Sequence, residues 1–184
     1  MAVKNIGIVV GSLRKGSYNK AIGQYLREQA PQGVSLEMVE IGGLSLYNQD
    51  YDENDEPAEY APFRQKIKSF DGIIFITPEY NRSVPGVLKN AIDVGSRPYG
   101  SSVWDGKPAM VISSSISNQS GFGANHHLRQ SLAYLNMPTL AQPEVYIANV
   151  QACFDEDGSL LKEDSGRFLT KALNAYIDFA NRHV

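Results

Sequence analysis

Apolar residues along this chain gather in short unbroken runs. Ile6-Gly7-Ile8-Val9-Val10, Ile73-Ile74-Phe75-Ile76 and Met110-Val111-Ile112 are rich in β-branched side chains and carry no charge. Such runs suit strands covered on both faces, as in a parallel sheet. Ser35-Leu36-Glu37-Met38-Val39-Glu40-Ile41 alternates instead and reads as a strand, and Val145-Tyr146-Ile147 is a short fifth one. Between them lie helix-like stretches: Lys20 to Gln29, Ala58 to Phe70, Pro85-Gly86 through Asp93, Asn125 to Leu135 and Phe168 to Ala180. In the fourth, Leu128, Leu132 and Leu135 share one face at i, i+4 and i+7 spacing. Asp50 to Tyr60, with Tyr51-Asp52-Glu53-Asn54-Asp55-Glu56-Pro57, reads as a solvated acidic loop. Strands alternating with helices predict an α/β fold, a doubly wound five-stranded parallel sheet with helices on both faces.

Composition narrows the class. The 184 residues suit one domain, 1–184, long enough to bury a full core, with no repeat or linker. Lys plus Arg total 17 against 20 Asp plus Glu, a formal net charge of −3. That balance lacks the basic stripe of a nucleic-acid binder. No apolar run approaches the roughly 18 residues of a membrane span, and Met1 to Asn5 lacks the hydrophobic region of a signal peptide, so a cytoplasmic protein is expected. The single cysteine, Cys153, excludes an intramolecular disulfide and a four-thiolate iron–sulfur site.

Two turns carry candidate chemistry. Gly11-Ser12-Leu13-Arg14-Lys15-Gly16-Ser17-Tyr18-Asn19 leads from the first strand into the first helix. A strand turning through glycine and hydroxyl residues into a helix leaves free backbone N–H groups where an anion can sit. Leu13 occupies the second glycine position of a dinucleotide fingerprint, and Ser17-Tyr18 stand where a Walker A loop needs lysine and hydroxyl. What remains is rich in side-chain donors and suits one compact terminal phosphate, the alternative being an ordinary βα turn capped by Ser17 or Asn19. The second turn, Thr77-Pro78-Glu79-Tyr80-Asn81-Arg82-Ser83-Val84-Pro85-Gly86, is stiffened by two prolines. Its ring, amide and backbone groups can hydrogen-bond the edge of a flat heterocycle, or it is simply a rigid turn. In open α/β sheets ligands bind beyond the carboxyl ends of the strands, and both turns sit there.

With these motifs the chain resembles the NAD(P)H-dependent FMN reductase family of the flavodoxin-like superfamily, among its bacterial quinone and chromate reductases. The resemblance runs through Gly11-Ser12-Leu13-Arg14 with Ser17 and Asn19, Pro78-Glu79-Tyr80-Asn81, Ser83-Val84-Pro85-Gly86, Leu88 to Asp93 and His127-Leu128-Arg129-Gln130, nearly the whole chain in order. It implies flavodoxin-like strand order, with Ser12, Arg14, Ser17 and Asn19 holding the FMN phosphate. Pro78, Glu79, Tyr80 and Asn81 would line the isoalloxazine, largely through backbone groups. Ser113, in a third loop Ser113-Ser114-Ser115 after the fourth strand, would close over the ribityl chain or ring, unless these serines cap the next helix. Gly121-Phe122-Gly123 fits the same picture. NADPH or NADH would be the hydride donor, and quinones, flavins or chromate the small-molecule acceptors. The resemblance also implies a homodimer or homotetramer, with Arg129 and Glu144 as a pair assembling a dimer of dimers, against a plain reading as surface arginine and turn glutamate. Arg97 or Tyr99 would reach nicotinamide or acceptor from a partner chain. Trp104 and Phe122 suit either core or pocket wall. His126 and His127 point about 100° apart on a helix and cannot grip one metal ion from the same face. A flavodoxin-type electron carrier is the competing class, and Arg14 with the mild net charge favours the enzyme.

Overall fold

The computed structural model describes residues 2–53, 55–155 and 163–184. Five strands, β1 (Asn5–Val10), β2 (Ser35–Val39), β3 (Gly72–Thr77), β4 (Ala109–Ser114) and β5 (Val145–Ile147), form one sheet in the order β2-β1-β3-β4-β5. All four pairings are parallel, so the chain reverses its direction of travel across the sheet between β1 and β3. The helices are α1 (Tyr18–Glu28), α2 (Tyr60–Lys68), α3 (Gly86–Gly95), α4 (Phe122–Tyr134) and α5 (Glu163–Ala180). The flavodoxin-like doubly wound arrangement read from the sequence is the one observed.

Strand residues alternate between two cores, as a period of two requires. Ile6, Ile8, Val10, Ile74, Ile76, Met110 and Ile112 pack with Ile22 and Leu26 of α1 and with Leu169, Leu173 and Tyr176 of α5. Val9, Ile73, Phe75 and Val111 face the other way, against Phe63, Ile67, Leu88, Leu128 and Leu132 of α2, α3 and α4. Trp104 is fully buried in this second core, its indole N–H donating to Ile92 O at 2.9 Å. It packs over the last turn of α3, where a Cβ at Gly95 would lie 2.5 Å from the indole nitrogen.

Several boundaries differ from expectation for identifiable reasons. β4 continues through Ser113 and Ser114, which pair with Thr77, Tyr146 and Ile147 and are buried, so the third loop begins at Ser115. α1 starts at Tyr18 because Ser17 is its N-cap, accepting from Lys20 N at 3.3 Å. α5 starts five residues early, with Glu163 and Asp164 in its first turn, where the helix dipole favours negative charge. Pro85 is the N-cap of α3 and not a residue of its first turn. Asn54 of the acidic segment lies outside the described residues. Around it, Gln49–Asp52 forms a short 3₁₀ turn, and Glu56 pairs with the buried Arg64, so this segment is more than a solvated loop.

Candidate functional site

The carboxyl ends of β1, β3 and β4 lie side by side at the point where strand order reverses. Gly11 N donates to Ile76 O at 2.8 Å, tying the first turn to β3. A Cβ at Gly11 would meet Leu88 of α3 at 3.1 Å, so glycine permits the close approach. Among the described residues, the backbone N–H groups of Ser12, Leu13, Arg14 and Gly16 donate to no protein acceptor. Ser12 and Ser17 are buried beside them, while Arg14 is exposed and its guanidinium makes no ion pair among the described residues. Unpaired N–H groups and hydroxyls ahead of a helix N-terminus form a cradle for an anion. Ser17 serves as helix cap as well as lying in this cradle. Asn19 is turned inward, its Oδ1 accepting from Ser114 Oγ at 3.2 Å, so it braces β4 against α1.

The second turn is built differently from its appearance in sequence. Tyr80 and Ser83 exchange both backbone hydrogen bonds at 2.9 Å around Asn81 (φ 51°) and Arg82 (φ 66°), the left-handed pair of a type I′ turn. Thr77 Oγ1 donates to Pro78 O at 2.7 Å. Glu79 turns its carboxylate away from the strand ends toward α4, where Ala124 N donates to it at 3.1 Å and Arg82 at 2.9 Å. The N-cap of α4, Gly121, has no side chain to offer, so Glu79 caps the helix from another loop. A Cβ at Gly123 would lie 2.9 Å from both Arg82 O and Glu79 Oε2, which explains that glycine. Burial pushes the Glu79 carboxyl up, but hydrogen bonds from Arg82, Ala124 and Gly123 outweigh it and hold it below the usual range. Glu79 and Asn81 keep their backbone N–H groups free of protein partners among the described residues. Tyr80 is half exposed.

The third loop is braced from below. Ser113 Oγ donates to Ser120 O at 2.9 Å and accepts from Asn125 Nδ2 at 3.2 Å. Asn125 in turn accepts from Arg129 Nε at 2.9 Å, and Arg129 donates to Leu140 O at 3.0 Å. Arg129 is therefore engaged within its own chain, and Glu144 accepts from Tyr146 Oη at 2.9 Å. Burial first, then the Glu144 carboxylate, raises the Tyr146 hydroxyl to about 12. His126 meets the same Oη at 3.1 Å, while His127 pairs with Ser83 Oγ at 3.0 Å. Among the described residues no three metal-ligating side chains gather. Phe122 is an exposed wall residue, whereas Trp104 belongs to the core.

Two cavities adjoin these elements. One of about 540 Å³ lies beside the second and third turns, lined by Arg82, Gln119, Phe122 and Tyr146 among others. The other, about 720 Å³, runs along the outer faces of α3 and α4 past Lys89, Asp93, Tyr99 and Tyr134. The larger one touches neither the N–H cradle nor the Pro78–Asn81 turn, so size alone does not mark the site.

Sequence reasoning missed two polar residues, Asn125 and Asn90, and the capping role of Glu79. Glu79 as a helix cap and Asn125 as a brace act across the chain and leave no local signal. Asn90 was findable, as a polar residue on an apolar helix. It accepts from Tyr47 N at 2.8 Å and donates to Ser45 O at 2.9 Å, holding the segment after β2 against α3.

Residues 4–152 match the NADPH-dependent FMN reductase family. A quinone reductase of Pseudomonas putida is 52% identical over 86% of this chain and 85% of its own length. A 2-hydroxy-1,4-benzoquinone reductase of a Burkholderia species is 46% identical over 96% of this chain and 95% of its own. Among solved structures, the flavoenzyme NAD(P)H:(acceptor) oxidoreductase FerB of Paracoccus denitrificans superposes with a TM-score of 0.89 at 36% identity, covering 98% of this chain and 99% of that one.

Proposed function

The chain belongs to the NADPH-dependent FMN reductase family, and from that premise we propose that it is an FMN-dependent NAD(P)H:quinone oxidoreductase. The observation that carries this reading is the pairing, at adjacent strand ends, of an N–H cradle on β1 with a rigid turn on β3 whose backbone donors face no protein partner. The donor set fits FMN. Backbone N–H groups, Ser12, Ser17 and Arg14 match a terminal phosphate, and the free N–H groups of Glu79 and Asn81 match the polar edge of a flavin ring. Asn19 and Ser113 support these turns from within, and Pro78 and Tyr80 complete the wall. FMN bound there supplies hydride chemistry, and the protein supplies orientation and electrostatics.

In the overall reaction, NAD(P)H and one proton are consumed, and a quinone becomes a hydroquinone. The type I′ turn fixes where backbone donors meet the ring edge, and the Glu79 clamp on α4 keeps that turn from relaxing. Curated relatives act on quinones, including a hydroxylated benzoquinone. Free flavins and chromate belong to the wider acceptor set that the resemblance implies. Among the described residues no helix is long and apolar enough to cross a membrane. We place the chain in the cytoplasm, as one domain that assembles into a homodimer or homotetramer. Tyr99 and Tyr134, 89% and 87% exposed beside the α3–α4 cavity, support self-association through that face.

Steady-state turnover tests the function. FMN-loaded protein is expected to consume NADPH and 1,4-benzoquinone in equal amounts and to lose this activity when FMN is stripped. An electron carrier would bind FMN and consume no NADPH.

A further inference from the structure

Resting on the quinone reductase reading, we infer that Arg82, with the ring stack of Phe122, His126 and Tyr146, forms a recognition ledge for quinones bearing an ionised oxygen beside a carbonyl. The first observation is the backbone. Arg82 holds φ 66° at the second central position of its turn, where glycine is the unstrained choice. A long cationic side chain is kept where its backbone is disfavoured, and such outliers concentrate at functional sites.

The second observation is the use made of the guanidinium. Its hydrogen bonds, to Glu79 and Gln119, both leave from Nη1. The other edge, Nε with Nη2, donates to no group among the described residues, and the side chain is 69% exposed. That edge is a planar fork matched to two neighbouring oxygens. The Glu79 carboxylate is shared between Arg82 Nη1 and the α4 N–H groups. The free fork can meet a ligand while Nη1 keeps its bond to the largely buried Glu79 carboxylate.

The third observation is the surface next to the fork. Phe122 is 56% exposed, its ring centroid 4.2 Å from His126 and 5.7 Å from Tyr146. The Phe122 and Tyr146 rings border the cavity of about 540 Å³ that Arg82 and the Asn118 and Gln119 amides also line, and His126 packs against both rings. A flat ring stacks there, and a hydroxyquinone anion presents its vicinal oxygens to the fork. A neutral quinone uses the stack alone, and a small oxyanion uses the fork alone. The ledge thus selects the ligand that has both. Glu144, the other nearby carboxylate, is held by the Tyr146 hydroxyl at 2.9 Å.

The test compares 2-hydroxy-1,4-naphthoquinone, an anion at neutral pH, with its neutral 2-methoxy analogue. FMN-loaded wild type, Arg82→Gly and Arg82→Lys are compared in two ways. Calorimetry gives acceptor Kd on oxidised protein without NADPH, and steady-state assays give kcat/KM. Arg82→Gly is expected to lose about tenfold for the anion in both measures and to stay within about twofold for the methoxy compound. Arg82→Lys, with the charge but no fork, falls between. An equal loss for both acceptors, or no loss for either, overturns the ledge. NADPH bleaching of bound FMN in each variant keeps the two readings apart. A variant that bleaches normally without a change in discrimination sinks only the ledge, whereas wild type that never bleaches sinks the reductase reading and the ledge with it.

Discussion

Arg14 and Glu79 are polar residues of one proposed site put to different uses. Arg14 is exposed and makes no ion pair among the described residues, so its charge is available to a ligand. Arg14→Ala is expected to weaken FMN binding about tenfold and to leave riboflavin, which has no phosphate, within about twofold. Fluorescence titration with both ligands checks this, and equal losses would remove the phosphate assignment. Glu79 acts on the protein itself. Its folded-state carboxyl lies below the ordinary range, so its stabilisation is present above the unfolded glutamate value and is lost as pH falls through the depressed one. The Glu79→Gln variant is expected to be less stable at neutral pH but to lose less on acidification, as thermal melts across that window would reveal. The motif around Glu79 was legible in sequence, but the direction its carboxylate takes was not. Its partners, Ala124 and Gly123, are more than forty residues away.

At the scale of elements, β1, β3 and β4 were legible because uncharged β-branched runs have few other places to go than a buried sheet, while the strand order came from the family resemblance. Helix starts were legible only where the cap is local. Ser17 announces α1, whereas α4 begins with a bare glycine at φ 73° and borrows its cap from the loop after β3. The serines after Ile112 read as a loop because hydroxyl residues favour turns. They remain in β4 because Ser120, Asn125 and Asn19 satisfy their side chains. Where α4 meets the Pro78–Asn81 turn, space is the constraint. Gly123→Ala puts a methyl group 2.9 Å from backbone at Arg82, and the two elements must separate. That variant is expected to bind FMN more weakly while keeping its circular dichroism spectrum. Gly95→Ala, far from the site but 2.5 Å from the Trp104 indole, should cost roughly 1–3 kcal/mol of stability by denaturant unfolding and leave FMN affinity unchanged.

The molecule as a whole places three turns from β1, β3 and β4 at one edge of a sheet buried on both faces. Hydrogen bonds from Gly11 to Ile76, Ser114 to Asn19 and Asn125 to Ser113 link those turns into one frame. A ligand that bridges the frame stabilises the folded state by mass action, about 2.7 kcal/mol at a hundredfold excess over Kd. FMN at that excess is expected to raise the thermal midpoint by roughly 5–10 °C, and riboflavin by less. The most direct measurement is an anaerobic titration of FMN-loaded protein with NADPH, followed by visible flavin absorbance. Full bleaching at one equivalent is expected if this frame holds FMN within reach of a nicotinamide. Flavin that stays bound and oxidised under excess NADPH would contradict it.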